Sequence, residues 1–301
     1  MSLPEPATLP TLPIVSADVP RQFARRGDLA EAQFLYGEIA RRMLGRLQYI
    51  RLQPQAMLDA GCGAGDNLPL LRERYPEAAY TGLDNCGPLL DEARRRHAPA
   101  GLSAWIGKLA RRGPPAPAFV QADLAATGLA PESLELVWSN LAMHWHRAPH
   151  AVLAEWRRIL KVGGLAMFSC LGPATLRELR QALDDAGLRT ATPSFVDMHD
   201  FGDLLVENGF ADPVMDQEIL TLTYRALGGN PAEGRRGGLV GRDWRDRLCA
   251  ALEAQRRPDG VIALSIEVAY GHAWRAAAHR TTAGETRLSV SAIGGRQRGN
   301  P

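Results

Sequence analysis

The chain has 301 residues, of which 46% are hydrophobic, enough for one α/β domain with a sizeable core. Its net charge of +2 excludes attraction to nucleic acid over the whole surface, so any preference for a charged partner must come from a local patch. No apolar run reaches about 18 residues, and the sequence therefore predicts no segment that spans a membrane.

Both ends of the chain are predicted to be flexible. Residues 1–20 are rich in proline and contain no basic residue, a composition that predicts a flexible leader and not a signal peptide. Residues 276–301 are polar and rich in glycine and are predicted to form a flexible tail. The four cysteines have no C-x-x-C spacing, which predicts a reducing, cytoplasmic location with neither disulfides nor a metal site.

The first predicted element is helical and covers residues 21–50, where apolar residues recur at intervals of three or four. Its apolar face comprises Phe34, Leu35, Ile39, Met43, Leu44 and Leu47. Arg41, Arg42 and Arg46 lie elsewhere on this helix and are expected to face solvent.

A glycine-rich turn follows the first predicted strand. Residues 56–60 form a short apolar run, the turn G-C-G-A-G occupies 61–65, and a helix-like segment begins at Asn67. Glycine allows a positive φ and lets a ligand lie directly on the main chain. About 20 residues later, Asp84 ends a second apolar run, the spacing at which an acid accepts ribose hydroxyls in a strand–helix–strand unit. The pattern predicts a nucleoside cofactor.

The glycine spacing distinguishes two classes of cofactor. A dinucleotide-binding turn has the pattern G-x-G-x-x-G, whereas this chain has G-x-G-x-G preceded by Asp59. A carboxylate beside the turn would repel a pyrophosphate and suits a cationic ligand. The pattern D-A-G-C-G-A-G (59–65) resembles motif I of class I S-adenosylmethionine-dependent methyltransferases, whose cofactor carries a sulfonium. A glycine turn without any ligand is the alternative.

A basic segment follows the second apolar run. Residues 94–112 contain no acid and the basic residues Arg94, Arg95, Arg96, Lys108, Arg111 and Arg112. Prolines after it predict an irregular insertion over about residues 94–117. It is either a solvated insertion or a docking patch for an acidic protein, since a uniform positive potential speeds such an encounter.

Three further strands are predicted over 118–121, 134–139 and 165–170, with an amphipathic helix over 151–160. The alternation of strands and helices predicts a parallel sheet with right-handed crossovers. The predicted fold is a Rossmann-like α/β sandwich of the class I methyltransferase type. The resemblance to class I methyltransferases implies a seven-stranded, mostly parallel sheet with helices on both faces.

Longer runs resemble one narrower family, the malonyl-acyl-carrier-protein O-methyltransferases of biotin synthesis. They include V-W-S-N-L-A-M-H-W (137–145), F-S-C-L-G-P-A-T-L-R-E-L-R (168–180) and Y-G-H-A-W (270–274), with shorter runs at 195–202, 209–216 and 220–224. The resemblance covers about residues 21–275, the predicted methyltransferase domain. Two departures occur: Gly27-Asp28-Leu29 stand where the family often has a tyrosine, and a helical segment usual near Arg225 is missing. Residues 225–260 are predicted to be a substrate-side insertion.

The resemblance implies methyl transfer from S-adenosylmethionine to the free carboxylate of a malonyl thioester on acyl-carrier protein. The product would be the methyl ester that primes pimeloyl synthesis for biotin. The acidic carrier protein would dock on the basic segment, and the enzyme is expected to be a monomer that binds neither nucleic acid nor membrane. The residues 21–50 would form a helical lid over the pocket.

Site residues follow from the same resemblance. The implied cofactor contacts are Asp59, Gly61, Cys62, Gly63, Gly65, Asp84, Asn85, Asp123, Leu124 and Asn140. Among the implied catalytic residues, Arg177 would hold the carboxylate, and His144 and Trp145 would close over cofactor and substrate. The implied substrate contacts are Phe23, Phe195 and His199.

Two alternatives stay open. The box T-L-x-E-L-R (175–180) is shared with a group that hydroxylates a protein arginine in respiratory-complex assembly. The two departures allow a binding protein that keeps its cofactor contacts without turnover. The Y-G-H-A-W ending favours the methyltransferase.

Overall fold

A seven-stranded sheet forms the centre of the computed structural model, which describes residues 11–26, 32–98, 115–189, 194–225 and 242–277. The strands are β1 (Ala56–Ala60), β2 (Ala79–Asp84), β3 (Ala118–Gln121), β4 (Leu134–Asn140), β5 (Leu160–Leu171), β6 (Phe210–Tyr224) and β7 (Ile262–Arg275). Their spatial order is β3-β2-β1-β4-β5-β7-β6. Strands β1 to β5 pair in parallel, whereas β7 pairs antiparallel with both β5 and β6.

Helices connect and cover the strands. They are α1 (Asp18–Arg26), α2 (Gln33–Leu47), α3 (Leu68–Arg74), α4 (Gly87–Arg96), α5 (Pro149–Ile159), α6 (Arg177–Asp185), α7 (Met198–Glu207) and α8 (Arg242–Ala254). A 3₁₀ turn covers Met143–Trp145.

Two apolar layers hold the helices on opposite faces of the sheet. One layer joins α5 and α7 to the sheet through the fully buried Trp156, Phe168 and Phe201. The other joins α2 and α3 through residues such as Met43 and Trp138. Because each large apolar side chain contributes about 1.5–3 kcal/mol when buried, both layers stabilise the sheet that positions the site.

The predicted fold class is confirmed by this mostly parallel sheet with helices on both faces. Strand β5 is longer than predicted and begins at Leu160, directly after α5. The helical segment predicted over residues 21–50 consists of two helices, and the first begins at Asp18, inside the predicted leader. An acid in the first turn of α1 and Arg25 and Arg26 in its last turn suit the helix dipole.

Parts of five predicted segments lie outside the described residues. These are residues 1–10 of the leader, 27–31 of the predicted lid, 99–114 of the basic insertion with Lys108, Arg111 and Arg112, 226–241 of the predicted substrate-side insertion, and 278–301 of the tail. Arg94, Arg95 and Arg96 form the last turn of α4, so the basic run begins as regular helix. The later part of the substrate-side region contains α8, which packs against α6.

The described residues contain no helix that is long and apolar enough to cross a membrane. Within the same part of the chain, histidine, cysteine and acidic side chains form no group of three that could hold a metal ion. Cys62, Cys86, Cys170 and Cys249 are free thiols.

Candidate active site

A cavity opens at the carboxyl ends of β1 to β4, the edge at which doubly wound sheets bind ligands. Helices α1 and α2 also line it, through Val19, Phe23, Gln33 and Tyr36. The predicted residues that line it are Phe23, Gly61, Cys62, Gly63, Asp84, Asn85, Asp123, Leu124, Asn140 and Trp145. Most of the predicted cofactor contacts therefore lie together.

The glycine turn is pressed against the loop that follows β4. Gly61 has a φ of +82°, and a Cβ added there would lie 2.1 Å from the Cβ of Ala142. A side chain at this position would therefore force the turn and the loop apart. Gly65, with a φ of +77°, lies behind the cavity, where an added Cβ would meet His97 at 2.9 Å.

The N–H groups of the turn are directed at the end of β2. Those of Gly61 and Cys62 donate to the carbonyl oxygen of Leu83 at 2.7 and 3.0 Å, and that of Gly63 donates to Asp84 Oδ2 at 2.9 Å. An anion cradle needs free N–H groups, and these three have partners. The turn therefore lacks the feature by which dinucleotide-binding turns hold a pyrophosphate.

Asp84 is held so that its carboxylate faces the cavity. Its Oδ1 accepts the N–H of Cys86 at 2.8 Å, and its Oδ2 accepts that of Gly63. Burial raises the pKa of this carboxyl, while the backbone N–H groups oppose the rise. Each carboxylate oxygen can accept more than one hydrogen bond, so Asp84 can still receive the hydroxyls of a ribose.

Asp59 lies beneath the cavity. It is fully buried, accepts the hydroxyl of Tyr80 at 2.8 Å, and accepts the amide of Asn67 at 3.2 Å. Burial raises the pKa of this carboxyl to about 7. Asn67 lines the cavity and Asp59 does not. The sequence interpretation expected Asp59 to contact the cofactor directly, whereas in the structure it orients the Asn67 side chain.

Asp123 is oriented by a histidine. Its Oδ1 lies 3.1 Å from Nε2 of His146 and accepts the N–H of Ala125 at 2.8 Å. Nδ1 of His146 lies 3.0 Å from the N–H of Ala148 and 3.1 Å from the carbonyl oxygen of the same residue, so both ring nitrogens have a partner. His146 and Asp123 both line the cavity as a coupled donor and acceptor.

Asn140, at the end of β4, lines the cavity and also makes a hydrogen bond to α2. The amide of Asn140 donates to the carbonyl oxygen of Tyr36 at 3.0 Å, and its oxygen accepts the Ser169 hydroxyl at 2.8 Å. Leu141 has a φ of +53°, a strained value for a residue with a side chain. Its chain neighbours Asn140 and Ala142 both line the cavity. Backbone strain is commonly stored at such functional sites.

Of the predicted pair His144 and Trp145, only Trp145 faces the cavity, and His144 is buried in the core. Trp145 lines the cavity and meets Phe23 edge to face, with ring centroids 5.5 Å apart. His144 is buried between Trp145 and Phe195, with ring centroids 5.2 and 5.7 Å away. Burial lowers the pKa of His144 to about 3, so it is neutral at ordinary pH. His144 and Phe195 pack behind the site and do not line it.

Arg177 and His199 also lie away from the cavity lining. The Arg177 side chain is 59% exposed at the start of α6 and its Nε donates to Glu178 at 3.1 Å. The His199 side chain is 79% exposed and contacts Asp197, the residue that caps α7. The structure therefore does not bring these two predicted residues to the site.

Comparison with known proteins yields a family match within this fold. The model of the methyltransferase domain family matches residues 58–168, which hold the glycine turn and β1 to β4. A malonyl-acyl-carrier-protein O-methyltransferase of Laribacter hongkongensis is 46% identical over 258 residues, covering 82% of this chain and 84% of that protein. Its counterpart in Legionella pneumophila is 32% identical over 292 residues, covering 93% and 98%.

The chain belongs to the malonyl-acyl-carrier-protein O-methyltransferase family. Solved structures support the fold alone. The YcgJ protein of Bacillus subtilis has a TM-score of 0.54 at 14% identity, covering 79% of this chain and all of that one. A phosphoethanolamine N-methyltransferase of Haemonchus contortus, solved with S-adenosylhomocysteine, has a TM-score of 0.51 at 12% identity, covering 86% and 60%.

The site of this O-methyltransferase family member fits S-adenosylmethionine, the predicted cofactor. Asp66, Asp84 and Asp123 line the cavity, and no lysine or arginine is among the described lining residues. Such a lining favours a ligand that carries a sulfonium and an ammonium group, although Asp66 is also paired with Arg96 at 2.9 Å. Asp84 can hold the ribose and Asp123 the adenine amino group.

The structure adds lining residues that the sequence interpretation missed: Val19, Gln33, Tyr36, Ala64, Asp66, Asn67, Leu89, Leu141, Ala142 and His146. A signal existed for several of them. Asp66 and Asn67 directly follow the glycine turn, and His146 directly follows the His-Trp pair. Gln33 and Tyr36 are three residues apart on α2, and residues with that separation lie on the same face of a helix.

Proposed function

We propose that this protein transfers the methyl group of S-adenosylmethionine to the free carboxylate of a malonyl thioester on acyl-carrier protein. The product is the malonyl methyl ester, and its role is to prime pimeloyl synthesis for biotin. The 46% identity to the Laribacter hongkongensis enzyme over most of both chains carries the proposal. The acid-lined cavity at the carboxyl edge of the sheet supports it.

The reaction needs alignment more than acid–base chemistry. A malonyl carboxylate is already ionised at neutral pH, so no general base is required. A carboxylate oxygen bonds to the methyl carbon as the methyl–sulfur bond breaks, and the electron pair of that bond stays on sulfur as S-adenosylhomocysteine. The cofactor, when bound, supplies the electrophilic methyl group. Alignment of the reacting atoms at about 3–3.5 Å supplies the catalytic advantage.

The residues that line the cavity have defined roles in this proposal. Asp84, Asp123 and Asn67 bind the cofactor, with His146 and Asp59 holding two of them in position. Trp145 and Phe23 exclude water from the reacting groups, which favours a reaction in which opposite charges disappear. The neutral, buried His144 supports Trp145.

Carrier-protein docking on the basic segment belongs to the same proposal. Arg94 pairs with Asp91 at 2.7 Å, and Arg95 and Arg96 both pair with Glu92, so acidic neighbours offset part of their charge. Lys108, Arg111 and Arg112 would then supply most of the attraction. Changing these three to Glu should raise KM for malonyl-acyl-carrier protein and leave KM for malonyl-coenzyme A unchanged. An equal rise for both substrates would contradict docking there.

We also propose that the protein acts as a monomer in the cytoplasm. The free thiols of its four cysteines support a reducing compartment. Light scattering of the purified protein at several concentrations tests the monomer, since a mass that rises with concentration would contradict it.

Mass spectrometry of the substrate tests the reaction. The protein is incubated with S-adenosylmethionine and malonyl-acyl-carrier protein, beside malonyl-coenzyme A and acetyl-acyl-carrier protein. The expected result is one added methylene on the malonyl group and none on the acetyl group. An added oxygen on a protein arginine would favour the hydroxylase alternative. Cofactor binding without any methyl transfer would favour the alternative of a binding protein that keeps its cofactor contacts without turnover.

A further inference from the structure

We propose that Tyr36 and Arg26 receive the free carboxylate of the substrate, on the part of the cavity that α1 and α2 line. Tyr36 donates its hydroxyl to one carboxylate oxygen, and Arg26 attracts the charge from the solvent side. The inference rests on the proposed function, because it assigns residues to the malonyl carboxylate of that reaction.

Tyr36 offers a hydrogen-bond donor inside the cavity. It lies one turn into α2 and lines the cavity, and its carbonyl oxygen accepts the Asn140 amide at 3.0 Å. Burial raises the pKa of its hydroxyl, so the group keeps its proton at ordinary pH. Among the described residues its hydroxyl has no hydrogen-bond partner. The donor is therefore available to a ligand.

Arg26 places a positive charge near that hydroxyl. Its guanidinium carbon lies 5.7 Å from the ring centroid of Phe23, which lines the cavity. The charge of Arg26 lowers the pKa of the Tyr36 hydroxyl against the effect of burial, as expected of a nearby cation. In the part of the chain that the structure describes, no acidic side chain pairs with Arg26. Phe23 and Tyr36 both line the cavity, and the Arg26 guanidinium lies beside the Phe23 ring.

The two arginines of the T-L-x-E-L-R box are engaged elsewhere. Arg177 points its Nε at Glu178, and Arg180 donates to the carbonyl oxygens of Thr175 and Pro173 at 2.6 and 2.5 Å. The described lining contains no lysine or arginine. Arg26 therefore has a better position than the predicted Arg177 or than Arg180.

A Tyr36 hydroxyl together with an exposed Arg26 suits a reaction in which the substrate carboxylate loses its charge. The carboxylate becomes a neutral ester, so a guanidinium buried against it would stabilise the substrate more than the transition state and slow turnover. An exposed Arg26 gives a screened attraction that helps entry and costs little when the charge is lost. The Tyr36 hydroxyl can donate to a carboxylate or an ester oxygen, and so it keeps the acyl group in register throughout.

The test measures recognition of the carboxylate apart from methyl transfer. Malonyl-acyl-carrier protein and acetyl-acyl-carrier protein are titrated separately into the protein saturated with S-adenosylhomocysteine, a complex that cannot react. The wild-type protein should bind the malonyl form more tightly, and the ratio of the two dissociation constants measures the contribution of the carboxylate. Tyr36→Phe should reduce that ratio about tenfold, the effect of losing a hydrogen bond to a charged group. Arg26→Gln should reduce it about two- to fivefold, the effect of losing a screened attraction.

Control variants separate recognition from folding. Arg21→Gln changes another exposed arginine of α1 and should keep the wild-type ratio. Affinity for S-adenosylhomocysteine should be unchanged in Tyr36→Phe and Arg26→Gln, and Arg26→Lys should recover part of the ratio because it restores the charge. Loss of affinity for both carrier proteins and for S-adenosylhomocysteine would mean a structural role and would overturn the inference.

Two further outcomes distinguish this inference from the proposed function. A wild-type ratio in both variants, or its loss in Arg177→Gln alone, would overturn the roles of Tyr36 and Arg26 even if the wild-type protein methylates malonyl-acyl-carrier protein. Absence of methylation by the wild-type protein, with a ratio that still depends on Tyr36 and Arg26, would overturn the proposed function and support the carboxylate site.

Discussion

Asp59 shows how burial changes the role of a single residue. From the sequence it is an acid ahead of a glycine turn, suited to a cationic ligand. In the structure the Tyr80 hydroxyl and the Asn67 amide occupy its oxygens, and it has no exposed surface. The acid therefore acts on the cofactor through Asn67, whose amide it orients at the cavity wall.

The raised pKa of Asp59 predicts a pH effect on stability. The pKa of about 7 in the folded state lies above the value of about 3.9 for an unfolded chain, so the folded state binds more protons between these values. The free energy of unfolding should therefore fall as pH rises through that window. In Asp59→Asn this contribution disappears. The difference in the free energy of unfolding between the variant and the wild type should therefore change by at most about 1.4 kcal/mol per pH unit. Urea unfolding of both proteins between about pH 5 and pH 8 measures it; parallel profiles would contradict the raised pKa.

Gly61 is predicted to be essential for cofactor binding. Gly61→Ala introduces a Cβ that collides with Ala142, so the turn must move out of the cavity wall. Affinity for S-adenosylhomocysteine should fall about tenfold or more, since about 1.4 kcal/mol of lost contact is sufficient. Gly128→Ala is the matched control, because Gly128 has a similar φ of +71° but open space around its Cβ position. Calorimetric titration compares the variants, and equal affinities would show that the turn tolerates a side chain.

At the scale of elements, α2 is the helix that joins the sheet to the cavity. Its first turn contacts the glycine-turn region through Gln33, which donates to Asp66 at 2.7 Å. Its last turns contact the far edge of the sheet, where Arg46 Nε donates to Asp216 at 3.2 Å and Arg42 pairs with Glu218. The position of Tyr36 between these contacts depends on both ends of the helix.

Tyr270 of the Y-G-H-A-W run is predicted to stabilise this helix. Its hydroxyl donates to Glu218 at 2.6 Å, and the Arg46 guanidinium lies 3.7 Å above its ring. Tyr270→Phe keeps the ring contact and loses the hydrogen bond, so the free energy of unfolding should fall by about 1–2 kcal/mol. Tyr49→Phe, at an exposed tyrosine in the loop after α2, should cause no measurable change. Urea unfolding gives both values, and equal stability of the two variants would remove Tyr270 from this role.

At the scale of the whole molecule, cofactor binding and stability should be coupled. The cavity is built from the ends of β1 to β4 and is also lined by α1 and α2, so a ligand there contacts four strands and two helices together. A ligand that binds only the folded state stabilises it by about 2.7 kcal/mol at 100 times its dissociation constant. S-adenosylhomocysteine should therefore raise the unfolding temperature by several degrees in the wild-type protein and in Gly128→Ala, and by less in Gly61→Ala. Differential scanning calorimetry tests this, and equal shifts in all three would place the ligand elsewhere.

Much of the cofactor half of the site was predictable because its signals are local. The strand, the glycine turn and Asp84 lie within one strand–helix–strand unit, where periodicity and turn chemistry are sufficient evidence. Asn85, Asp123, Leu124 and Trp145 follow strands in the same way, and they line the cavity. His144 differs from its neighbour Trp145 because adjacent residues of a 3₁₀ turn face different directions, and the sequence carries no signal for which one faces inward.

The substrate half was less predictable because its contacts join distant parts of the chain. Arg177 matched a family motif, yet its orientation depends on Glu178 and on the packing of α6 against β7. Phe195 and His199 lie next to elements that cover the sheet, and their distance from the cavity follows from where α7 packs.

The sequence by itself determined the fold class, the family and the nucleoside cofactor, since these depend on patterns within short segments and on runs shared with relatives. Only the tertiary structure decided which side chains face the cavity. Asn140 reaches Tyr36, and Asp59 is buried beneath Asn67, because strands and helices distant in the chain pack together at one edge of the sheet. Side-chain direction at such an edge is set by packing and hydrogen bonding between elements, and no local pattern encodes it.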